Sequence, residues 1–179
     1  MNSRIRLVDA RDSDAGALAE AGSTLFVQAY GKYSRPVDLQ AHVERYFGRA
    51  SIAAELRKPE VRYTIAYDAE AISGFMKIRR GSAPDAVAAV EAIEVQQLYV
   101  DANRQRKGVG RALMDRAVKA AREEACGGLW LSVWQDADWA TGFYEAYGFQ
   151  QVGTAEFWLG QSCYMDYVMW LTIDDPNCC

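Results

Sequence analysis

Between Leu98 and Met114, LYVDANRQRKGVGRALM carries an apolar run through a basic, glycine-containing loop into a helical pattern. Arg104, Arg106, Lys107 and Arg111 stand around Gly108 and Gly110, where the helix begins. First-turn amides of a helix have no internal partner and lie at the positive end of its dipole, so this turn can hold an anion. Glycines let the backbone approach a phosphate closely, and Arg106, Lys107 and Arg111 add charge at the rim. The chemistry this points to is a pyrophosphate cradle. The plainer alternative is a glycine turn with a solvated basic rim, and the loop alone does not decide. Spacing excludes two other phosphate loops. A dinucleotide fingerprint needs Gly or Ala where Leu113 stands, and the P-loop needs four residues between its glycines followed by Gly-Lys-Ser/Thr.

Other reactive side chains are few. The lone His42 closes off histidine-based metal sites and the usual Ser-His-Asp arrangement. Cys126, Cys163, Cys178 and Cys179 form no C-x-x-C pair, and the last two are adjacent at the C-terminus, awkward for a disulfide or a metal. Reduced thiols in a cytoplasmic protein are expected, with no metal. At 179 residues, net charge −4 and half hydrophobic residues, the chain suits one globular domain, 1–179. An acidic balance argues against a dedicated nucleic-acid binder and suits a cationic small substrate. The N-terminus MNSRIRLVDA lacks a signal-peptide h-region, and no apolar run is long enough for a membrane span.

The elements that must position the loop follow from periodicity. SRIRLV (3–8) alternates as a strand, and Asp12-Ser13-Asp14 offers N-caps for a helix ending near Gly31. Residues 37–57 read as one or two helices stopped by Pro59, and 61–68 with 71–79 as a hairpin. AIEVQQLYV (92–100) is a strand, and Val109, Leu113, Ala117 and Ala121 mark the buried face of the helix that follows. Gly127-Gly128 should end that helix before LWLSVW (129–134), a strand expected to be covered on both faces. DWATGFYEAY is a helix capped by Asp138 and closed by Gly148, and two strands finish the chain. The expected fold is α/β (α+β), with a mixed, mostly antiparallel sheet of six to seven strands. Its one β-α-β unit covers 92–134 and should be right-handed.

Three motifs in this order carry a family resemblance. Gln105-Arg106-Lys107-Gly108-Val109-Gly110 matches the Q/R-x-x-G-x-G/A signature of the GNAT N-acetyltransferases. The strand ending Leu98-Tyr99-Val100 sits where that family places its acetyl-CoA strand. Ala140-x-x-Phe143-Tyr144-x-x-x-Gly148-Phe149 resembles the family's A-x-x-F-Y-x-x-x-G-F helix. The likeness covers residues 60–173, leaving 174–179 as a short tail. IEVQQLYV, WLSVW and the overall length look most like the bacterial polyamine/spermidine acetyltransferase subgroup.

The resemblance implies the GNAT acyl-CoA N-acyltransferase fold, acetyl-CoA as co-substrate, and direct acetyl transfer to an amine without an acyl-enzyme. By this likeness Gln105, Arg106, Lys107, Gly108, Val109, Gly110 and Arg111 hold the pyrophosphate, and Leu98, Tyr99 and Val100 pair with the pantetheine arm. The family splays this strand from its neighbour, and a freed N–H near Leu98 would polarise the thioester carbonyl. Tyr144 occupies the general-acid position. Glu94, eleven residues before Gln105, stands at the general-base position of the histone-acetylating branch. Roughly 13 Å of strand separates it from Leu98, so it would act through water. Glu91 and Asp136 are weaker alternatives. Ala137 stands at a cofactor-contacting position where the family commonly has Asn.

A cationic acceptor pocket is expected around Phe26 to Tyr30, the loop 80–91 and the final hairpin, using Glu91, Glu94, Asp136 and Glu156 with Tyr30, Trp134 and Trp158. The acceptor would be a small-molecule amine, with a polyamine as the narrower reading. A protein N-terminus or lysine, and a non-catalytic acyl-CoA sensor, remain alternatives. A homodimer is compatible with the chain; partners among nucleic acids or membranes are not expected.

Overall fold

A computed structural model describes residues 5–81, 83–87 and 91–173. The elements in chain order are β1 (Arg6–Asp9), α1 (Ala15–Tyr30), α2 (Pro36–Tyr46), α3 (Arg49–Leu56), β2 (Val61–Asp68), β3 (Ala71–Arg80), β4 (Ala92–Val100), α4 (Val109–Glu123), β5 (Gly128–Trp134), α5 (Asp138–Tyr147), β6 (Gln150–Leu159) and β7 (Ser162–Thr172). They build one seven-stranded sheet in the order β1-β2-β3-β4-β5-β7-β6. Every neighbouring pair is antiparallel except β4 and β5, which α4 joins. This is the expected mixed, mostly antiparallel sheet.

Alternation along the strands sends apolar side chains to both faces, so helices must cover both. On one face α4 lays Val109, Leu113, Ala117 and Ala121 against Ile93, Val95, Leu131 and Met169, all nine-tenths buried or more. On the other, α1, α2 and α3 enclose Leu18, Phe26, Phe47 and Ile52 with Ile65 and Phe75. Phe75 and Met76 are adjacent in β3 and serve opposite cores. Burying a side chain of this size is worth about 1.5–3 kcal/mol. Removing one from either core therefore costs a sizeable share of a domain's net stability.

Residues 37–57, expected as one or two helices, form two, parted at Phe47-Gly48, with Pro36 at the first position of α2, where its missing N–H costs nothing. Several other local expectations need correction. Asp12–Asp14 make a single 3₁₀ turn, and Asp14 accepts from the Arg11 N–H at 2.7 Å. Asp138 is the first helical residue of α5 rather than its cap; Ala137 takes that place without a side-chain capping bond. Helix α4 stops at Glu123, before the glycines, and the Cys126 N–H returns to Ala121 O at 2.9 Å. Gly128 already belongs to β5. Residues 174–179, with Cys178 and Cys179, lie outside the described residues, as do residues 3 and 4 of the first expected strand.

Candidate active site

The parallel pairing of β4 and β5 is short. It runs Ala92↔Gly128, Ile93↔Leu129 and Glu94↔Trp130 and then ends. Beyond it, β4 stays paired with β3 to Val100, and β5 stays paired with β7 to Trp134. The two strands therefore part above Glu94 and leave a V-shaped gap inside the sheet. One extra residue in β4 helps to part them: Lys77 faces Gln97 while Ile78 faces Val95, so Gln96 is bulged. A bulge bends its strand and sharpens its twist. Ser132, in the middle of β5, is exposed because its neighbour has moved away, a departure from the doubly covered strand expected there.

The gap leaves backbone groups free. The Asp101 N–H donates to Ser73 O at 2.9 Å, which puts it on the β3 side. Alternation places the N–H groups of Tyr99 and Gln97 on that side too, and turns those of Leu98 and Val100 into the gap. Gly74 lets the strands come this close, since a Cβ there would stand 2.6 Å from Tyr99 O.

At the top of the gap the basic loop folds as an anion receptor. Arg106 and Gly108 both hold left-handed conformations, at φ 60° and 86°, and Gly108 caps α4. Left-handed residues set among right-handed ones turn successive N–H groups into one concavity, at the positive end of α4. Gln105, Arg106, Gly108, Gly110 and Arg111 line the cleft there. Lys107 and Val109 do not; Val109 is buried in the core below and offers the site only its backbone. Arg104 is engaged elsewhere, paired with the buried carboxylate of Asp68, and so anchors the loop to β2.

The gap opens into a cleft of about 1050 Å³. Leu98, Tyr99 and Val100 form one wall, and Ala140, Phe143 and Tyr144 of α5 reach it from the α4 side of the sheet. Tyr144 is 9% exposed, edge-on to Phe143 and Phe149. Burial, then the charge of Tyr30, pushes its phenol upward, so it is a hydroxyl donor throughout the physiological range. Ala137 does not line the cleft: it is fully buried, and its carbonyl accepts from Ala140 and Thr141 at 2.8 and 3.0 Å.

Aromatic groups from both faces gather at the mouth of the cleft. Tyr33 stacks on Trp139 at 5.5 Å and meets Trp134 edge-on at 5.2 Å, and Trp134 touches Tyr164 at 5.7 Å. Tyr30, also in the lining, is pushed up to about 12 by burial and by Asp166. His42 stacks on Phe26 at 4.4 Å; burial, then Arg45, brings it down to about 4, so it is neutral near pH 7.

Carboxylates are placed differently from expectation. None of Glu91, Glu94, Asp136 and Glu156 is among the cleft-lining residues, and neither is Trp158, which is 59% exposed. Glu94 is half-buried beside Arg79, with Gln96 Nε2 3.4 Å away, and burial raises its carboxyl. The carboxylate that does face the cleft without a cation among the described residues is Asp166 of β7, which sequence reasoning missed. It is 7% exposed, one of its oxygens has no hydrogen-bond partner, and burial raises it to about 6. Its only sequence signal is a charge inside an otherwise apolar strand, CYMDYVMWLTI.

Comparison with known proteins agrees with this geometry. An uncharacterised N-acetyltransferase of Lactobacillus delbrueckii subsp. lactis is 23% identical over 92% of this chain and 95% of its own length. The fold is shared with the PaiA N-acetyltransferase of Thermoplasma acidophilum, solved with coenzyme A, at a TM-score of 0.78 and 16% identity over 94% of this chain and 99% of that one. It is shared too with the ribosomal-protein-S18-alanine N-acetyltransferase of Escherichia coli, at 0.67 and 16% over 97% and 98%. The model of the acetyltransferase (GNAT) family matches residues 25–149. With a parted β4 and β5, an amide-lined loop at the head of α4 and that match over most of its length, the chain belongs to the GNAT family of acetyl-CoA-dependent N-acetyltransferases.

Proposed function

We propose that the enzyme acetylates a small primary amine that carries one ammonium group beside an apolar or aromatic body. The observation that carries this reading is the cleft itself. Its acceptor face is dominated by Phe26, Tyr30, Tyr33, Trp134, Tyr164 and Phe157, with Asp166 as the one lining carboxylate free of a cation among the described residues. Glu55, the other carboxylate in the lining, is held by Lys58 and by Lys77, the latter at 2.5 Å. A polyamine pocket would need several free carboxylates spaced along it, so the monoamine is better supported.

The chain's own groups supply the chemistry. The N–H groups around Gly108 to Gly110 and the Arg106 and Arg111 side chains would hold the pyrophosphate of acetyl-CoA. The free N–H of Leu98 would hydrogen-bond the thioester oxygen as negative charge gathers there. Tyr144 would donate its phenol hydrogen to the departing sulfur. A free alkylamine is only about one part in 2,500 at pH 7, so a carboxylate must assist the loss of its proton.

Release of CoA thiol from acetyl-CoA, followed across arylalkylamines, polyamines, amino acids, aminoglycosides and peptides, tests the reading. Release with monoamines supports it, whereas release with peptides alone gives the acceptor to a protein. Acetyl-CoA binding without release from any amine points to a sensor.

A further inference from the structure

We propose that Asp166 is the residue that receives the acceptor amine, binding its ammonium group and taking the proton it must lose before attack. The inference rests on the acetyl-transfer reading and adds to it a group that neither the loop nor the helix motif contains.

Register is the first argument. Asp166 pairs with Trp134 at the end of β5, while Glu94 pairs with Trp130. Four residues at about 3.3 Å each set these carboxylates roughly 13 Å apart along the sheet. Asp166 thus stands at the level where the strands have parted and Leu98 offers its N–H, whereas Glu94 stands at the last paired rung. Facing is the second. In β5 and β7, Leu131, Val133 and Met169 point toward α4 and α5. Alternation sends Asp166 the other way, to the face covered by α1 and α2, while its partner Trp134, at the strand end, also packs against the α4-side core and Trp139 of α5. An amine arriving from that face meets Asp166, with the thioester between it and Tyr144.

Satisfaction of polar atoms is the third. A buried carboxylate is normally paired or hydrogen-bonded, yet an oxygen of Asp166 has no partner and no salt bridge reaches the residue among the described residues. The titratable groups facing it are tyrosines: Tyr30 from α1, Tyr99 from β4 and Tyr164 on its own strand, with Tyr144 of α5 beyond Tyr99. None supplies a cation. The cations of the lining are Arg45 of α2, Lys77 and Arg79 of β3, and Arg106 and Arg111 of the pyrophosphate loop and α4; no ion pair joins any of them to Asp166 among the described residues, and Lys77 is occupied by Glu55. An alkylammonium would satisfy the free oxygen, and its flanks would meet the rings of Trp134 and Tyr30.

The proton balance closes. The ammonium passes one proton to an Asp166 oxygen, and the freed lone pair forms the C–N bond as the C–S bond breaks. The sulfur takes the electron pair of that bond and leaves as thiol. Tyr144 gives its hydroxyl proton to the departing sulfur, the new amide nitrogen sheds its second proton, which restores that hydroxyl, and Asp166 releases its own proton to solvent. A carboxylate raised to about 6 is a better match to an amine than an ordinary one near 3.9.

The test compares wild type, Asp166→Asn and Glu94→Gln with the best amine from the panel. Asp166→Asn should lower kcat/KM roughly 100-fold or more and remove the acidic limb of the pH profile near 6, with acetyl-CoA affinity unchanged by calorimetry. Loss of that limb in Glu94→Gln instead, or an unchanged Asp166→Asn enzyme, overturns the role while leaving acetyl transfer intact. Binding of phenethylammonium in the presence of CoA gives a readout independent of turnover: wild type should bind it and Asp166→Asn should not. Equal binding by both, or none by wild type, also overturns the role. Selective loss of binding in a protein that releases no CoA would keep the ammonium site and dismiss the acetyl-transfer reading.

Discussion

Tyr144 and Asp166 reach the cleft from opposite sides of the sheet, and each proposed role makes a prediction of its own. Tyr144→Phe keeps the ring between Phe143 and Phe149 and removes only the hydroxyl. Turnover should fall roughly 100-fold or more with acetyl-CoA affinity unchanged, as steady-state kinetics and calorimetry would report. For Asp166 the sign of the pH effect follows from its raised value. An unfolded aspartate titrates near 3.9 and the folded one at about 6. Between those values the folded state binds the extra proton, so stability is full at low pH and lost as pH rises toward 6. Asp166→Asn should therefore melt above wild type at pH 8 and level with it at pH 4. Each kcal/mol of relief reads as about 2–4 °C in a chain of this size. His42, lowered to about 4, acts in the opposite sense in both proteins and cancels from the difference. At this scale the sequence pointed to Tyr144 and the loop glycines, which do line the cleft, because their spacing is local. Asp166 was hidden: in CYMDYV an aspartate reads as a solvent-facing strand residue, and only its rung opposite Trp134 brings it indoors.

Elements were legible where periodicity is strong. Strand β4 and helix α5 have the residue limits that alternation and the i, i+4 pattern suggested, and the apolar face of α4 is the expected one. Helix caps were less legible, because a cap is decided by where the chain enters the helix rather than by the nearest Asp. The parting of β4 from β5 was inferred from family likeness, and its mechanical causes lie in the pairing of β3 with β4. The bulge at Gln96 is fixed by pairing across strands, and Gly74 matters through contact with Tyr99 and Val100. Gly74→Ala should push β3 from β4 where the gap must be held open. The expected cost is about 1–3 kcal/mol, the usual range for overpacking, together with weaker acetyl-CoA binding. Chemical denaturation and calorimetry measure the two effects separately.

Across the molecule, the cleft depends on two units being held against each other. One is the helical cover of α1 to α3; the other is the β6–β7 hairpin, whose Leu159 packs into the core beneath those helices. Asp38 ties them. It is 4% exposed, accepts from Ser162 Oγ at 2.9 Å and from Gln161 N at 3.2 Å, and the Ser162 bond holds its carboxyl below the usual range. Asp38→Ala should free the hairpin tip, raising amide exchange over 157–164 and the KM for the amine, with acetyl-CoA affinity little changed. Nothing in the local sequence joins residue 38 to residue 162, so this tie was out of reach of periodicity.

The gap between β4 and β5 is the centre of the whole account, and a crystal structure of the protein with CoA tests it most directly. The pyrophosphate should lie within hydrogen-bonding distance of the N–H groups around Gly108 to Gly110. The pantetheine arm should run along Leu98 to Val100, with its sulfur beside the Tyr144 hydroxyl and on the side of the sheet opposite Asp166. A cofactor bound outside the gap, or with its sulfur remote from both Leu98 and Tyr144, would contradict it.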